Sequence, residues 1–131
     1  MSDHFKKVRD FLLELDFNII SQNEEDEIFA VEKEDASIHN LIIGCADPIL
    51  IMEQYLFELK SESATILKKL LIKNRDIIHG AFVLDESGRK VIFRDTLQIE
   101  HLDLNELEGS INSLSLLMSE YSDQLIEFSK S

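Results

Sequence analysis

Residues 38–59, IHNLIIGCADPILIMEQYLFEL, hold two apolar runs separated by Asp47-Pro48. In the first run Leu41, Ile43 and Cys45 fall on one side of an extended chain, and Ile42 with Gly44 on the other, so both sides are apolar. Asp47-Pro48 is also a helix-start signal, with Asp as N-cap and Pro at the first helical position. Against a helix, Ile49, Ile51, Tyr55, Phe57 and Leu59 fall on alternate positions, and Lys60-Ser61-Glu62-Ser63 forms a separate turn and cap further on. The stretch is therefore expected to be two consecutive strands, residues 38–45 and 49–59.

Upstream, Phe5, Val8, Leu12 and Leu15 recur at steps of three and four between charged residues, which predicts an amphipathic first helix over residues 3–15. Phe17–Ser21 and Ile28–Glu32 flank the acidic turn Glu24-Glu25-Asp26-Glu27 and read as a hairpin. Downstream, a second helix runs from about Glu62 to Asn74, with Ile66, Leu67, Leu70 and Leu71 as its expected buried stripe. His79–Asp85 and Lys90–Glu100 flank Glu86-Ser87-Gly88-Arg89, a hairpin turn in which Gly88 supplies the positive φ. On the second arm Ile92 breaks the polar outward row and Asp95 the apolar inward one.

Asp103, with Glu106 three residues on, starts the longest helix. Its apolar positions Leu104, Leu107, Ile111, Leu114, Met118, Tyr121, Leu125 and Phe128 keep a 3-4 spacing that suits a coiled-coil seam. Leu117 and Ile126 widen the stripe and the opposite side is serine-rich, which favours a helix laid across a sheet. The expected fold is α+β: an antiparallel sheet of about five to six strands with an N-terminal, a middle and a long C-terminal helix, in the order α-ββββ-α-ββ-α. With no internal repeat and no Pro/Gly linker, residues 1–131 are expected to form one domain.

Composition bounds the function. The chain carries 26 acidic and 13 basic side chains, a formal net charge of −13, so its field opposes phosphate binding and no nucleic-acid partner is expected. The charge is uneven: Lys68, Lys69, Lys73 and Arg75 fall in residues 63–75, which hold no acid. The plain reading of that cluster is a basic last helical turn facing the dipole, the other a phosphate or lipid contact. Apolar residues make up 44% of the chain, enough to bury about two thirds of the unfolded surface at this length. The longest stretches free of Asp, Glu, Lys and Arg, Ala36–Ala46 and Gly109–Ser119, are 11 residues long, short of the ~18 a membrane span needs. Met1-Ser2-Asp3 opens no signal sequence and Cys45 is the single cysteine, so a reducing cytoplasmic location is expected.

Motifs for chemistry are sparse. His4, His39, His79, His101 and Cys45 show no metal-ligand spacing, and no metal or other cofactor is expected. Asp103, Asn105 and Glu108 resemble part of a calcium loop, but Leu107 and Gly109 misplace a ligand and the turn glycine. His39 and Cys45 on one strand would lie ~20 Å apart, too far for direct activation of the thiol. A small enzyme with a cleft built from Asp95, His79 or Cys45 is the alternative reading. For Asp95 the plainer one is a carboxylate paired with Arg94, Arg75 or a backbone N–H, and for Cys45 a core thiol.

If the rows Leu41/Ile43/Cys45, Ile49/Ile51/Tyr55/Phe57/Leu59 and Val91/Phe93/Leu97/Ile99 pack on the helices, the opposite face shows Ile42, Leu50, Met52, Leu56 and Ile92. Five neighbouring apolar side chains would form a patch that a monomer seldom leaves wet. They are the expected protein-binding residues, suited to a homodimer or an extended peptide. The other possibility is that a helix of the same chain covers them, giving three layers.

The order of elements, with GAFVLDESGRKVIFRDTL (Gly80–Leu97) and DLNELEGSINSLSLLMSEYSDQL (Asp103–Leu125), resembles the YbjN-like bacterial domains, whose fold is similar to that of type III secretion chaperones. The resemblance implies an antiparallel α+β domain, homodimeric, acidic and cytoplasmic, that binds a client's unfolded segment on apolar patches without ATP, or acts as a regulator. It implies no active-site residues. Residues 49–59 form an extended segment additional to the minimal secretion-chaperone core.

Overall fold

The computed structural model describes residues 2–130. The elements follow as α1 (Asp3–Glu14), β1 (Asn18–Asn23), β2 (Ile28–Lys33), β3 (Ile38–Ala46), β4 (Ile49–Glu58), α2 (Ala64–Lys73), β5 (Ala81–Leu84), β6 (Lys90–Gln98) and α3 (Leu104–Lys130). The helix starts are capped by side chains that bind otherwise orphaned backbone N–H groups. Ser2 Oγ accepts from Phe5 N–H at 3.1 Å, Ser63 Oγ from Ile66 N–H at 3.2 Å, and Asp103 Oδ1 from Glu106 N–H at 2.8 Å. Asp47-Pro48 starts no helix. Joined by a cis peptide, it forms the tight turn between β3 and β4, whose Ala46 and Ile49 are paired.

The six strands form one antiparallel sheet in the order β1-β2-β3-β4-β6-β5. One face, the inner one, carries Phe29, Ile43 and Met52 in a row, with Cys45 and Leu50 beside it and Gln54, Phe93 and Phe82 in another row. All three helices lie on that face. Phe5 of α1 stacks on Phe29 with ring centroids 4.2 Å apart, and Phe128 of α3 meets Phe57 at 6.4 Å. Leu67 and Leu70 of α2 lie beside Phe82 and Val91. The long helix is laid across the sheet, as its wide stripe predicts: Leu107, Ile111, Leu114, Leu117, Leu125 and Phe128 are buried, whereas Ile126 is exposed.

Two assignments of facing need correction. Leu71, expected in the buried stripe of α2, is exposed; the helix is held by Ile66 and Leu70 with Leu67 half-buried. On β4, Ile49, Ile51 and Tyr55 face away from the helices, and Leu50, Met52 and Gln54 face them. The cause is a bulge: Tyr55 pairs with Ile92 and Phe57 with Val91, leaving Leu56 as the extra residue. An extra residue inverts the in-out alternation, so even positions point inward before the bulge and Phe57 and Leu59 after it.

Both sheet edges are blunted. β1 is polar and bulged between Ile19 and Ser21. β5 is four residues long, and Asn74, in the single 3-10 turn Asn74–Asp76 that follows α2, covers it. The Asn74 side-chain amide accepts from Phe82 N–H at 2.8 Å and donates to Phe82 C=O at 3.3 Å, bonds that a neighbouring strand would otherwise make. After this turn Gly80 adopts φ +90°, and a Cβ there would lie 2.3 Å from the Phe93 ring, so only glycine fits.

Candidate protein-binding surface

The outer face of the sheet follows from the register. One row runs Ile28, Gly44, Ile51, Thr96; the next runs Ala30, Ile42, Glu53, Arg94, Ala81; a third runs Tyr55, Ile92, Val83. No helix among the described residues packs on these rows. Ile28 and Tyr55 are exposed, and Ile42, Ile51, Ile92 and Val83 are half-buried only by their neighbours in the sheet. The polar members pair with each other: Arg94 Nε lies 3.3 Å from Glu53 Oε2. An aliphatic band with one internal ion pair is suited to apolar contact and takes little part in charge recognition.

Of the five residues expected to form the binding patch, Ile42 and Ile92 lie on this face. Leu50 and Met52 do not. At 0% and 3% exposure they are core residues, on the helix-facing side because of the Leu56 bulge, and Leu56 itself is half-buried at that bulge against the core. The band is completed instead by Ile51, with Tyr55 and Ile28 at its margins; the unbroken alternation puts Ile51 and Tyr55 on the helix side and assigns Ile28 to neither face. The bulge has no signal in the sequence, since Ile49 to Phe57 offers apolar side chains at both parities.

Asp95, His79 and Cys45 do not form a cleft together. Asp95 points inward and, as its plainer reading had it, accepts from a backbone N–H, that of Thr96 at 2.8 Å from Oδ1; its other partner, not foreseen, is the buried Ser110 hydroxyl of α3, which donates to Oδ2. Arg94 is taken by Glu53, so the carboxylate serves to hold α3 on the sheet. Cys45 is buried, and its thiol is pushed up to about 11 by burial and, second, by the Glu27 carboxylate, the reverse of nucleophile activation. His79 is exposed and lines a groove between residues 76–79 and α3 that contains neither of the other two. No group of three or more His, Cys, Asp or Glu among the described residues is arranged to hold a metal ion. No helix among them is long and apolar enough to cross a membrane.

The four most exposed aliphatic side chains, Ile78, Leu71, Leu116 and Ile72, lie on α2, on α3 and on the segment before β5, and Leu84 lies on β5 itself. Leu71 and Ile72 of α2 are 68% and 57% exposed, Ile78 88%, Leu84 40% and Leu116 of α3 59%. Leu71 and Leu84 flank an apolar groove between α2 and β5, and Ile78 and Leu116 flank the groove that His79 lines.

Six antiparallel strands with three helices on one side and an aliphatic band on the other define the type III secretion chaperone fold. A family model, CesT_Tir_1, the type III chaperone family, matches residues 1–131, and the chain belongs to that family. Among solved structures, YbjN from E. coli is similar in fold, with a TM-score of 0.68 at 10% identity over 92% of each chain. The chaperone–effector complex HopA1–SchA gives 0.59 at 14% identity, covering 97% of this chain and 94% of that one. The Yersinia pestis type III secretion chaperone SycH, in complex with a stable fragment of YscM2, gives 0.58 at 18% identity, covering 96% and 99%. A search of the curated proteins finds no match.

Proposed function

We propose that this protein is a non-catalytic, cytoplasmic, homodimeric chaperone-like domain that holds an extended segment of a protein partner against the outer face of its sheet. The observation that carries the reading is the band Ile42, Ile51 and Ile92, which no helix among the described residues covers. Membership of a chaperone family and the presence of chaperone–effector complexes among the similar folds support a protein partner. Burying aliphatic side chains of this size stabilises a complex by roughly 1.5–3 kcal/mol each before association costs. No nucleotide enters this mechanism: apolar burial supplies the affinity, and an extended segment suits a band that crosses neighbouring strands.

The test is binding to an array of overlapping unfolded segments from secreted proteins, repeated with Ile42→Thr, Ile51→Thr and Ile92→Thr combined. Threonine keeps the β-branch that the strands favour, so the variant is expected to keep its circular dichroism and lose binding at least tenfold. A variant that binds as well as the parent would remove the outer face as the site.

A further inference from the structure

We propose that Gly44, on the outer sheet face, is the floor of a subsite that takes one Leu, Met or Phe side chain from an extended partner segment free of acidic residues. This rests on the outer-face reading above and adds the chemistry of the segment. Gly44 stands between Ile28 of β2 and Ile51 of β4 in one row across the sheet, with Ile42 two residues away on its own strand. Ile28 and Ile51 are two strand spacings apart, roughly 10 Å, and Ile42 is about 7 Å from Gly44 along β3. All three isoleucine side chains rise from the face on which Gly44 has none. They wall a depression one side chain deep, open toward Ala46 at the end of the strand.

Nothing within the chain calls for glycine at this position. Gly80 and Gly88 have positive φ, and Gly44 does not. A Cβ on Gly44 would meet Ile28 Cγ1 alone, at 3.8 Å, an ordinary contact. Glycine inside a strand nevertheless loses more backbone entropy on folding than any other residue and gives its neighbours no side chain to pack. An unforced glycine among isoleucines suits a surface that another chain approaches closely. The shape also selects the visitor: Val and Ile keep their bulk at Cβ, beside their own backbone, whereas Leu, Met and Phe carry it further out and reach the floor. Charge selects the rest of the segment. A chain of net charge −13 repels an acidic one, and Arg94, the base in the neighbouring row, is already held by Glu53 at 3.3 Å and is not free to receive a carboxylate.

Fluorescence anisotropy on the whole chain tests the proposal, with labelled peptides Lys-Thr-Val-Thr-X-Thr-Val-Thr-Lys in which X is Ala, Val, Leu, Met or Phe. The peptides with Leu, Met and Phe are expected to bind about tenfold more tightly than that with Ala, and the Val peptide no more than about threefold. Gly44→Val fills the depression with a strand former, so the fold, followed by circular dichroism, stays intact. The preference then vanishes or inverts, the Ala peptide binding at least as well as the Leu peptide. Gly44→Ala adds one methyl group and is expected to leave an intermediate preference of about threefold. Replacing both lysines of the Leu peptide by glutamate weakens its binding by about fivefold or more at low salt. A parent that binds none of the peptides, ignores the identity of X or accepts the glutamate peptide equally overturns the proposal. So does a Gly44→Val protein that keeps the parent's preference, or a Gly44→Ala protein that fails to fold. A parent indifferent to X that still loses binding with Ile42→Thr, Ile51→Thr and Ile92→Thr combined sinks the subsite and leaves the outer face standing. Binding untouched by those three changes removes the outer face and the subsite with it.

Discussion

Cys45 stands opposite Leu50 on the helix-facing side of β3 and β4, and its chemistry follows from that position. In water the thiol would be partly ionised near its ordinary 9.0; here burial, and then the Glu27 carboxylate, hold it at about 11. At pH 8 the native protein is expected to react with iodoacetamide about a hundredfold more slowly than the denatured chain, because the thiolate is the reacting form. The same displacement sets a pH dependence. Between pH 9 and 11 the unfolded thiol has lost its proton while the folded one keeps it, so the folded state binds more protons and stability falls as pH rises through this window. The loss, read as the difference between the parent and Cys45→Ala in urea melts, is expected to be about 1–2 kcal/mol by pH 11, and to vanish below pH 8. A Cys45 alkylated equally fast in both states would contradict the buried placement. Asp95 illustrates the other half of residue-scale reading: its inward direction is legible from the break in the β6 alternation. Its partner Ser110 is not: the pattern counts it on the serine-rich side opposite the apolar stripe, whereas it is buried against the sheet.

Among the elements, β5 depends most on a single side chain. It is the shortest strand and an edge, and Asn74 substitutes for the strand it lacks. Asn74→Ala is expected to cost about 1–2 kcal/mol, since it leaves the part-buried Phe82 N–H and C=O without their partner. It is also expected to raise the rate of aggregation at constant temperature, through a newly open edge. A thermal melt with light-scattering detection reads both, and a variant as stable and as soluble as the parent would show the amide to be dispensable. The strands and helices themselves are legible in the sequence nearly to their ends, because each has its own period, turn and cap: Gly88 for the β5–β6 hairpin, Ser63 and Asp103 for α2 and α3. What the sequence does not carry is which way β4 faces. Ile49 to Phe57 is apolar at both parities, so hydrophobicity cannot select a face, and the Leu56 bulge inverts the alternation in mid-strand. The misplacement of Leu50 and Met52 follows from that one residue. Leu71 is misplaced for a related reason: an aliphatic at helical spacing counts toward the core by pattern, whatever surface lies opposite it.

At the scale of the whole molecule, the uneven arrangement of layers decides what each part can do. Three helices share the inner face, no helix among the described residues covers the outer band, and α3 in particular is needed for folding. A free coiled-coil helix would behave otherwise: cutting it would destroy association and leave the rest folded. Here the half of α3 after Ser115 supplies Leu117, Leu125 and Phe128 to the core, all buried, the last against Phe57. At roughly 1.5–3 kcal/mol for each buried side chain, their loss is comparable with the entire 5–15 kcal/mol by which a domain is stable. A chain ending at Ser115 is therefore expected to lack a cooperative thermal transition. Phe128→Ala, which removes one of the three contacts at about 3 kcal/mol, is expected to remain folded with a melting temperature lowered by roughly 10 °C. Calorimetry on the two proteins separates the cases: a shortened chain that still melts cooperatively near the parent's temperature would place the end of α3 outside the core and return it to the role of an assembly helix.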